Sequence, residues 1–333
     1  MSLPRLSICI PTFNRAEALN ECLDSIVPQC IEHGVEICIS DNASPDHTVA
    51  IIEAWQNRYP LIRLNRNETN QRIDRNIVAA GALATGEVIW FLSDDDVLEP
   101  DAVLRVIEMV ERHPKVPGFI VNRQEYDSTL TTPVHETKPL TKETTPDGEA
   151  ILSLDHVLVE LAEYLGYLPA WVIRRSAWMQ IKPTVFLDTD FVHVGVGLAG
   201  CALWSKERGY EPQMVISNPA LIRCRLARAS WRNRHYEVWM RNWQKTMREL
   251  VGYLSKAATT EAMALVTQRN YLSIVSGRGF GPYDHSDYKA LIRPYISPGL
   301  KRAIALGVAF APRWSARYFT RAQRFLRERL AEN

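Results

Sequence analysis

The stretch Ile89-Trp90-Phe91-Leu92-Ser93-Asp94-Asp95-Asp96 decides the fold. From Val88 to Leu92 the chain is continuously apolar, which reads as a strand buried on both faces, as in a parallel sheet covered by helices. It runs straight into three consecutive carboxylates, and a helix signal follows at Pro100-Asp101. Adjacent Asp side chains repel one another unless a cation or a donor-rich ligand neutralises them. In open α/β sheets the crevice beyond the carboxyl ends of the strands is where ligands sit. A turn with a helix cap is the plainer reading, but a cap needs one Asp and not three. The triplet reads as a metal or ligand site.

The sequence before it repeats the same pattern. Leu6 to Phe13, Val35 to Ser40 and Leu61 to Leu64 have strand character. Between them, Ala16 to Ile26 has helical spacing, and Ser44-Pro45 predicts a second helix start that turns Val49, Ile52 and Trp55 inward. Asn70 to Ala84 reads as a third helix, stopped at Gly86. Strands alternating with helices indicate βαβ units and a parallel sheet. Pro11 to Arg15, Asp41 to Ser44 and Asp94 to Asp96 all follow strands, so they should share one edge of one sheet. No G-x-G-x-x-G follows the first strand and no G-x-x-x-x-G-K-[ST] occurs, which disfavours a dinucleotide dehydrogenase or a P-loop NTPase. A divalent cation on strand-end carboxylates could hold a diphosphate instead.

With 333 residues, 46% apolar and 23% charged, the chain has room for a full core and no sign of disorder. The net charge of +1 hides an asymmetry: residues 299–333 carry eight Lys/Arg against two Glu, which gives the basic end a partner of its own. The six cysteines show no zinc-like spacing and fit a reduced cytoplasmic protein. No signal peptide and no stretch of about 18–20 apolar residues is visible.

At these residues the chain resembles glycosyltransferase family 2, the inverting enzymes of the GT-A fold. The matching pieces are Ile10-Pro11-Thr12-Phe13-Asn14-Arg15, Asp41-Asn42-Ala43-Ser44, Asn70 with Arg75-Asn76, Gly86, and Leu92-Ser93-Asp94-Asp95-Asp96, in family order across about the first 100 residues. The phrase Trp90 to Asp96 is most similar to bacterial polysaccharide and O-antigen transferases of the abequosyltransferase type. The resemblance implies an α/β fold: a GT-A-type (Rossmann-like), mostly parallel sheet flanked by helices. It also implies that Pro11, Thr12, Phe13, Asn14 and Arg15 line the nucleotide pocket, with Asn42 and Ser44 beside them. Asp41 would accept a hydrogen bond from the base. Asp94 would hold ribose or sugar hydroxyls, with Asp95 next to it, and Asp96 would ligate Mn²⁺ or Mg²⁺. Arg72 and Asn76 would face nucleotide or donor sugar, although Gln71-Arg72-Ile73-Asp74 departs from the family's glycine-containing stretch.

Further on, Gly118 to Tyr126 reads as a strand, Asp127 to Glu149 as a loop and Ile151 to Leu165 as a helix. An inverting transfer needs a base for the acceptor hydroxyl. The family keeps an acid at about this distance beyond the metal motif, which makes Asp190 the first candidate and Asp188 the second. The alternatives for both are helix caps or groups that bind the acceptor. His193, one turn past Asp190, is either a metal ligand or a packed core histidine. In the basic run Leu221 to Arg234, Arg228 and Trp231 suit a loop over the diphosphate; a basic helix face is the alternative, and nucleic acid is disfavoured by the near-neutral total charge.

From Trp314 to Leu330 a helical wheel separates Trp314, Tyr318, Phe319, Phe325 and Leu326 from Arg313, Arg317, Arg321, Arg324 and Arg327. That pattern fits a peripheral contact with an anionic membrane at the inner face of the cell membrane, or a terminal helix docked on its own domain. The expected organisation is a glycosyltransferase domain over 1–235 and a helical C-terminal region over 236–333. The expected activity is metal-dependent inverting transfer of a sugar from a nucleoside-diphosphate donor to a polysaccharide or lipid-linked glycan. The alternatives are a nucleotidyltransferase releasing pyrophosphate and a non-catalytic nucleotide-sugar-binding module.

Overall fold

The structure, a computed structural model, describes residues 5–142, 144–226 and 234–321. Its first four strands are β1 (Leu6–Thr12), β2 (Glu36–Asp41), β3 (Ile62–Arg66) and β4 (Val88–Phe91). They pair in parallel in the order β3-β2-β1-β4. Every residue of β1, β2 and β4 is buried. Alternation sends successive side chains to opposite faces. Ile8, Ile10, Val88 and Trp90 enter one core layer, whereas Cys9, Ile89 and Phe91 enter the other. This is why the run Val88 to Leu92 is apolar without interruption.

The connecting helices α1 (Ala16–His33), α2 (Thr48–Arg58) and α3 (Arg72–Leu83) complete the βαβ units. The first runs past Ile26 to His33 and stops at Gly34, whose φ of 64° an L side chain rarely adopts. The second starts at Thr48 and not at Pro45. The Ser44 hydroxyl is turned toward the β1 loop, where it accepts from Asn14 N–H (2.8 Å), and Asp46 takes Thr48 N–H and Oγ1–H.

Beyond the short strand β5 (Val97–Leu98), amphipathic α4 (Ala102–Arg112) buries Val103, Val106 and Met109. The sheet then continues through β6 (Gly118–Tyr126), β7 (Glu149–Ser153), β8 (Trp171–Arg174) and β9 (Gln213–Arg225). β8 lies antiparallel between β4 and β6, β9 runs parallel to β6, and β5 and β7 pair antiparallel with β9. The segment expected as one helix from Ile151 is therefore strand β7 followed by α5 (Leu154–Leu161), capped by Ser153. A short apolar run does not distinguish the two states, and β9 offered an edge to pair with.

After the single turn α6 (Arg175–Trp178), helix α7 (Val192–Glu207) is apolar around its whole circumference and almost entirely buried. Gly200 lets it approach α6: a Cβ there would lie 2.3 Å from the Ala177 carbonyl oxygen. A π-type turn (Glu237–Asn242) leads into α8 (Trp243–Glu249), followed by α9 (Lys256–Arg269), α10 (Ser273–Phe280), α11 (His285–Asp287), α12 (Leu300–Phe310) and α13 (313–321). Val238, Trp243, Met247 and Ala262 join the core layer of α5 and α7, whereas Tyr271, Tyr283, Ile292 and Ala305 form a separate small core. No helix among the described residues is long and apolar enough to cross a membrane.

Candidate active site

The carboxyl ends of β1, β2 and β4 meet as the parallel order requires. Thr12 Oγ1–H donates to Asp94 Oδ2 (2.7 Å), Asn42 N–H donates to Thr12 O (3.0 Å), and Arg15 pairs with Asp95 while standing 3.9 Å from Asp94. Asp94 and Asp96 are 9% and 5% exposed. Burial, and then the charge of Asp95, pushes Asp94 up to about 7 and Asp96 up to about 6. Asp96 is held on both oxygens, by the Tyr167 hydroxyl (2.6 Å) and by Arg225 N–H (2.9 Å). Burial holds Tyr167 protonated far above its ordinary range, so it remains a donor, and the Arg123 guanidinium lies 4.2 Å over its ring. Phe13 is 41% exposed at the rim of this edge.

Beneath the edge lies an amide network. Asp41 is fully buried and accepts from Ser44 N–H, with Arg66 3.7 Å away. The Asn42 side chain accepts from Gln71 N–H (2.8 Å) and donates to Asn70 (3.0 Å). Asn76, expected to face the donor, is buried and uses its amide on Ser40, Asn67 and Thr12 O. It therefore braces β1 and β2 from below.

The second cluster surrounds the loop before α7. Asp190 Oδ2 accepts from Asn242 (2.7 Å) and Arg234 (3.0 Å). Asp188 is bound by both terminal nitrogens of Arg75 (2.7 and 3.2 Å), with Arg72 3.9 Å away. The Arg75 bond holds Asp188 below the usual carboxylate range. Asn14, Ala43, Arg72, Asp188 and Asp190 all have φ between 55° and 66°. Non-glycine residues keep that conformation only where surroundings over-determine it, typically around functional sites. Neither aspartate caps a helix, because α7 has Phe191 at its cap position and no side-chain cap bond of its own.

His193 does not take the ligand role. It is 3% exposed, edge-on to Trp171 at 6.2 Å, and pushed down to about 4 by burial, so it is a packed, neutral core histidine. No group of three or more His, Cys, Asp or Glu able to hold a metal forms among the described residues. The triplet still fits a hard cation. Mg²⁺ usually takes one or two carboxylates and completes its shell with substrate phosphates and water, and each Asp96 oxygen retains a lone pair. Arg228 and Trp231 lie outside the described residues, as do residues 322–333 of the C-terminal pattern.

Residues 7–155 match the model of the family described as glycosyl transferase family 2. This segment belongs to glycosyltransferase family 2. Abequosyltransferase RfbV of Salmonella typhimurium is 30% identical over 215 residues, which cover 60% of this chain and 63% of that protein. Chondroitin synthase of Pasteurella multocida is 36% identical over 101 residues, 30% of this chain and 10% of that one. The chain thus spans less than two thirds of the length of these relatives. A structure of S. aureus TarS 1–349 in complex with UDP-GlcNAc is similar at a TM-score of 0.61 and 16% identity, covering 91% of this chain and 80% of TarS. The mannosyltransferase PcManGT of Pyrobaculum calidifontis in complex with GDP-Man and Mn²⁺ is similar at 0.51 and 16%, covering 98% and 86%. The fold is accordingly GT-A-like, with a mostly parallel sheet flanked by helices and a helical C-terminal region.

Around this family 2 segment, sequence reasoning missed Tyr167, Arg123, Asp74 and Asn242. Tyr167 belongs to none of the motifs that the sequence offers, and Arg225 meets Asp96 through its backbone, which no side-chain pattern reports.

Proposed function

We propose that the protein is an inverting glycosyltransferase that moves a sugar, such as a hexose or deoxyhexose, from a nucleoside diphosphate to a hydroxyl of a polysaccharide or lipid-linked glycan. The observation that carries this reading is the convergence of Thr12, Arg15 and Asp94–Asp96 on one buried strand-end edge. Pro11 to Arg15 with Asp41, Asn42 and Ser44 frame the nucleotide. Asp94 and Asp95 face ribose or sugar, and Asp96 is the residue that would hold Mn²⁺ or Mg²⁺. Such a cation, when bound, neutralises diphosphate charge. Asp190 takes the proton of the attacking hydroxyl, and the carboxylate's orientation is set by Asn242 and Arg234. The complexes of PcManGT with GDP-Man and Mn²⁺ and of TarS with UDP-GlcNAc are consistent with this reading.

A panel of UDP-, GDP-, CDP- and dTDP-sugars incubated with Mn²⁺, followed by nucleotide analysis, tests it. Release of a nucleoside diphosphate is expected. Pyrophosphate would instead indicate nucleotidyl transfer, and binding without turnover would indicate a non-catalytic module.

The C-terminal helices favour a peripheral membrane site for this chemistry. α13 docks through buried Ala316 and through Arg317, which donates to Gly279 O (2.8 Å). Trp314, Tyr318 and Phe319 are left 73%, 70% and 62% exposed, beside exposed Arg313 and Arg321. Aromatic residues flanked by cations suit an anionic lipid surface. Co-sedimentation with phosphatidylglycerol vesicles should be lost on Trp314→Ser/Tyr318→Ser; equal pelleting would remove the membrane site.

A further inference from the structure

We propose that Asp74 is a positioning residue that sets the attack geometry of Asp190. Its carboxylate, on the first turn of α3, is 2% exposed. Oδ2 accepts from Thr189 N–H (2.8 Å) and Asp190 N–H (3.0 Å), and Oδ1 accepts from Val192 N–H (3.2 Å). These donors stand at the entry to α7, where a helix leaves N–H groups without partners of its own. In α5 and α9 a local Ser at the cap position accepts such an N–H. Here the acceptor comes from another helix, more than a hundred residues earlier in the chain.

A single Ser would suffice as a cap. Three bonds to one carboxylate also fix the backbone through Asp190, which is left-handed (φ 62°), as is Asp188 (φ 59°). That conformation persists only where its surroundings impose it. Two residues along the same helix, Asn76 donates to Thr12 O (3.2 Å) and accepts from Ser40 Oγ–H (2.8 Å). One turn of α3 thus grips the donor edge and the Asp190 loop together, so the distance between donor and base is held by a single rigid element.

The inference rests on Asp190 being the base, and the test separates the two. Asp74→Asn and Asp190→Asn are compared with the wild type in three readouts. These are nucleoside-diphosphate release from the sugar-nucleotide panel, affinity for UDP, GDP, CDP or dTDP with Mn²⁺, and hydrogen exchange of amides 189, 190 and 192. For Asp74→Asn, turnover should fall roughly 10²-fold, as an ångström-scale misplacement costs, with nucleotide affinity within about twofold of wild type and faster exchange at the three amides. If Asp74→Asn does not fold, Asp74→Glu keeps the charge while displacing the carboxylate, and should give a smaller loss of turnover with the same affinity. Wild-type turnover in a folded Asp74 variant, alongside an inactive Asp190→Asn, would overturn the positioning role alone. Wild-type turnover in Asp190→Asn would overturn the base assignment beneath it.

Discussion

The strand-end edge and the loop before α7 are built by opposite means. The edge is assembled from short, contiguous phrases that a parallel sheet brings together by its topology: Pro11 to Arg15 after β1, Asp41 to Ser44 after β2, and the Asp triplet after β4. The loop is assembled from single residues far apart in the chain: Asp74 and Arg75 on α3, Arg234 and Asn242 near the π-type turn. The difference matches the chemistry proposed for each. Holding a nucleotide diphosphate requires many donors and acceptors on one surface, which adjacent backbone supplies. Orienting one base requires only that one carboxylate be held against movement, and distant side chains can do that.

Breaking the two regions separately should therefore give different phenotypes. The largest effect is expected from Asp190→Asn, which removes the proposed general base and should lower turnover about 10³-fold in a steady-state assay. Next, Asp96→Ala should weaken Mn²⁺ affinity by about 100-fold or more, measured by titration calorimetry, and added EDTA should reproduce its loss of turnover in the wild type. Unchanged activity in both would remove the cation from the account. Tyr167→Phe sharpens the comparison, because it deletes one hydrogen bond to Asp96 and nothing at the loop. About a 10-fold loss of Mn²⁺ affinity is expected, with turnover at saturating Mn²⁺ little changed. The smallest effect should come from Asp188→Asn: this carboxylate is exposed and paired with Arg75 in a solvent-screened surface contact, so the melting temperature should hardly move. A collapse of turnover in this variant with Asp190→Asn intact would transfer the base to Asp188.

The same contrast explains what the sequence made legible. The unbroken apolar run Val88 to Leu92 and the carboxylates after it report a buried parallel strand and the candidate edge at its end directly, because period, burial and strand-end position are local properties. Asn76 was visible as part of a motif but not as a brace, since only the fold shows that Thr12 O and Ser40 lie under it. Asp74 carried no local signal at all: on a helix it reads as a solvated acid of the first turn. For His193 the ligand and core readings stayed open, because one-turn spacing from Asp190 says nothing about the side on which Trp171 lies. β7 escaped because the apolar run Ala150-Ile151-Leu152 is too short to separate a strand from a helix start.

The central claim is that binding and proton removal reside in two separable regions. The direct measurement is to record, on the same preparations of wild type, Asp96→Ala and Asp190→Asn, the Kd for the preferred nucleoside diphosphate with Mn²⁺ and the rate of its release from the sugar nucleotide. The expected result is that Asp96→Ala loses affinity, whereas Asp190→Asn keeps wild-type affinity and loses turnover. An Asp190→Asn enzyme that turns over normally, or one that loses affinity as severely as Asp96→Ala, would contradict it.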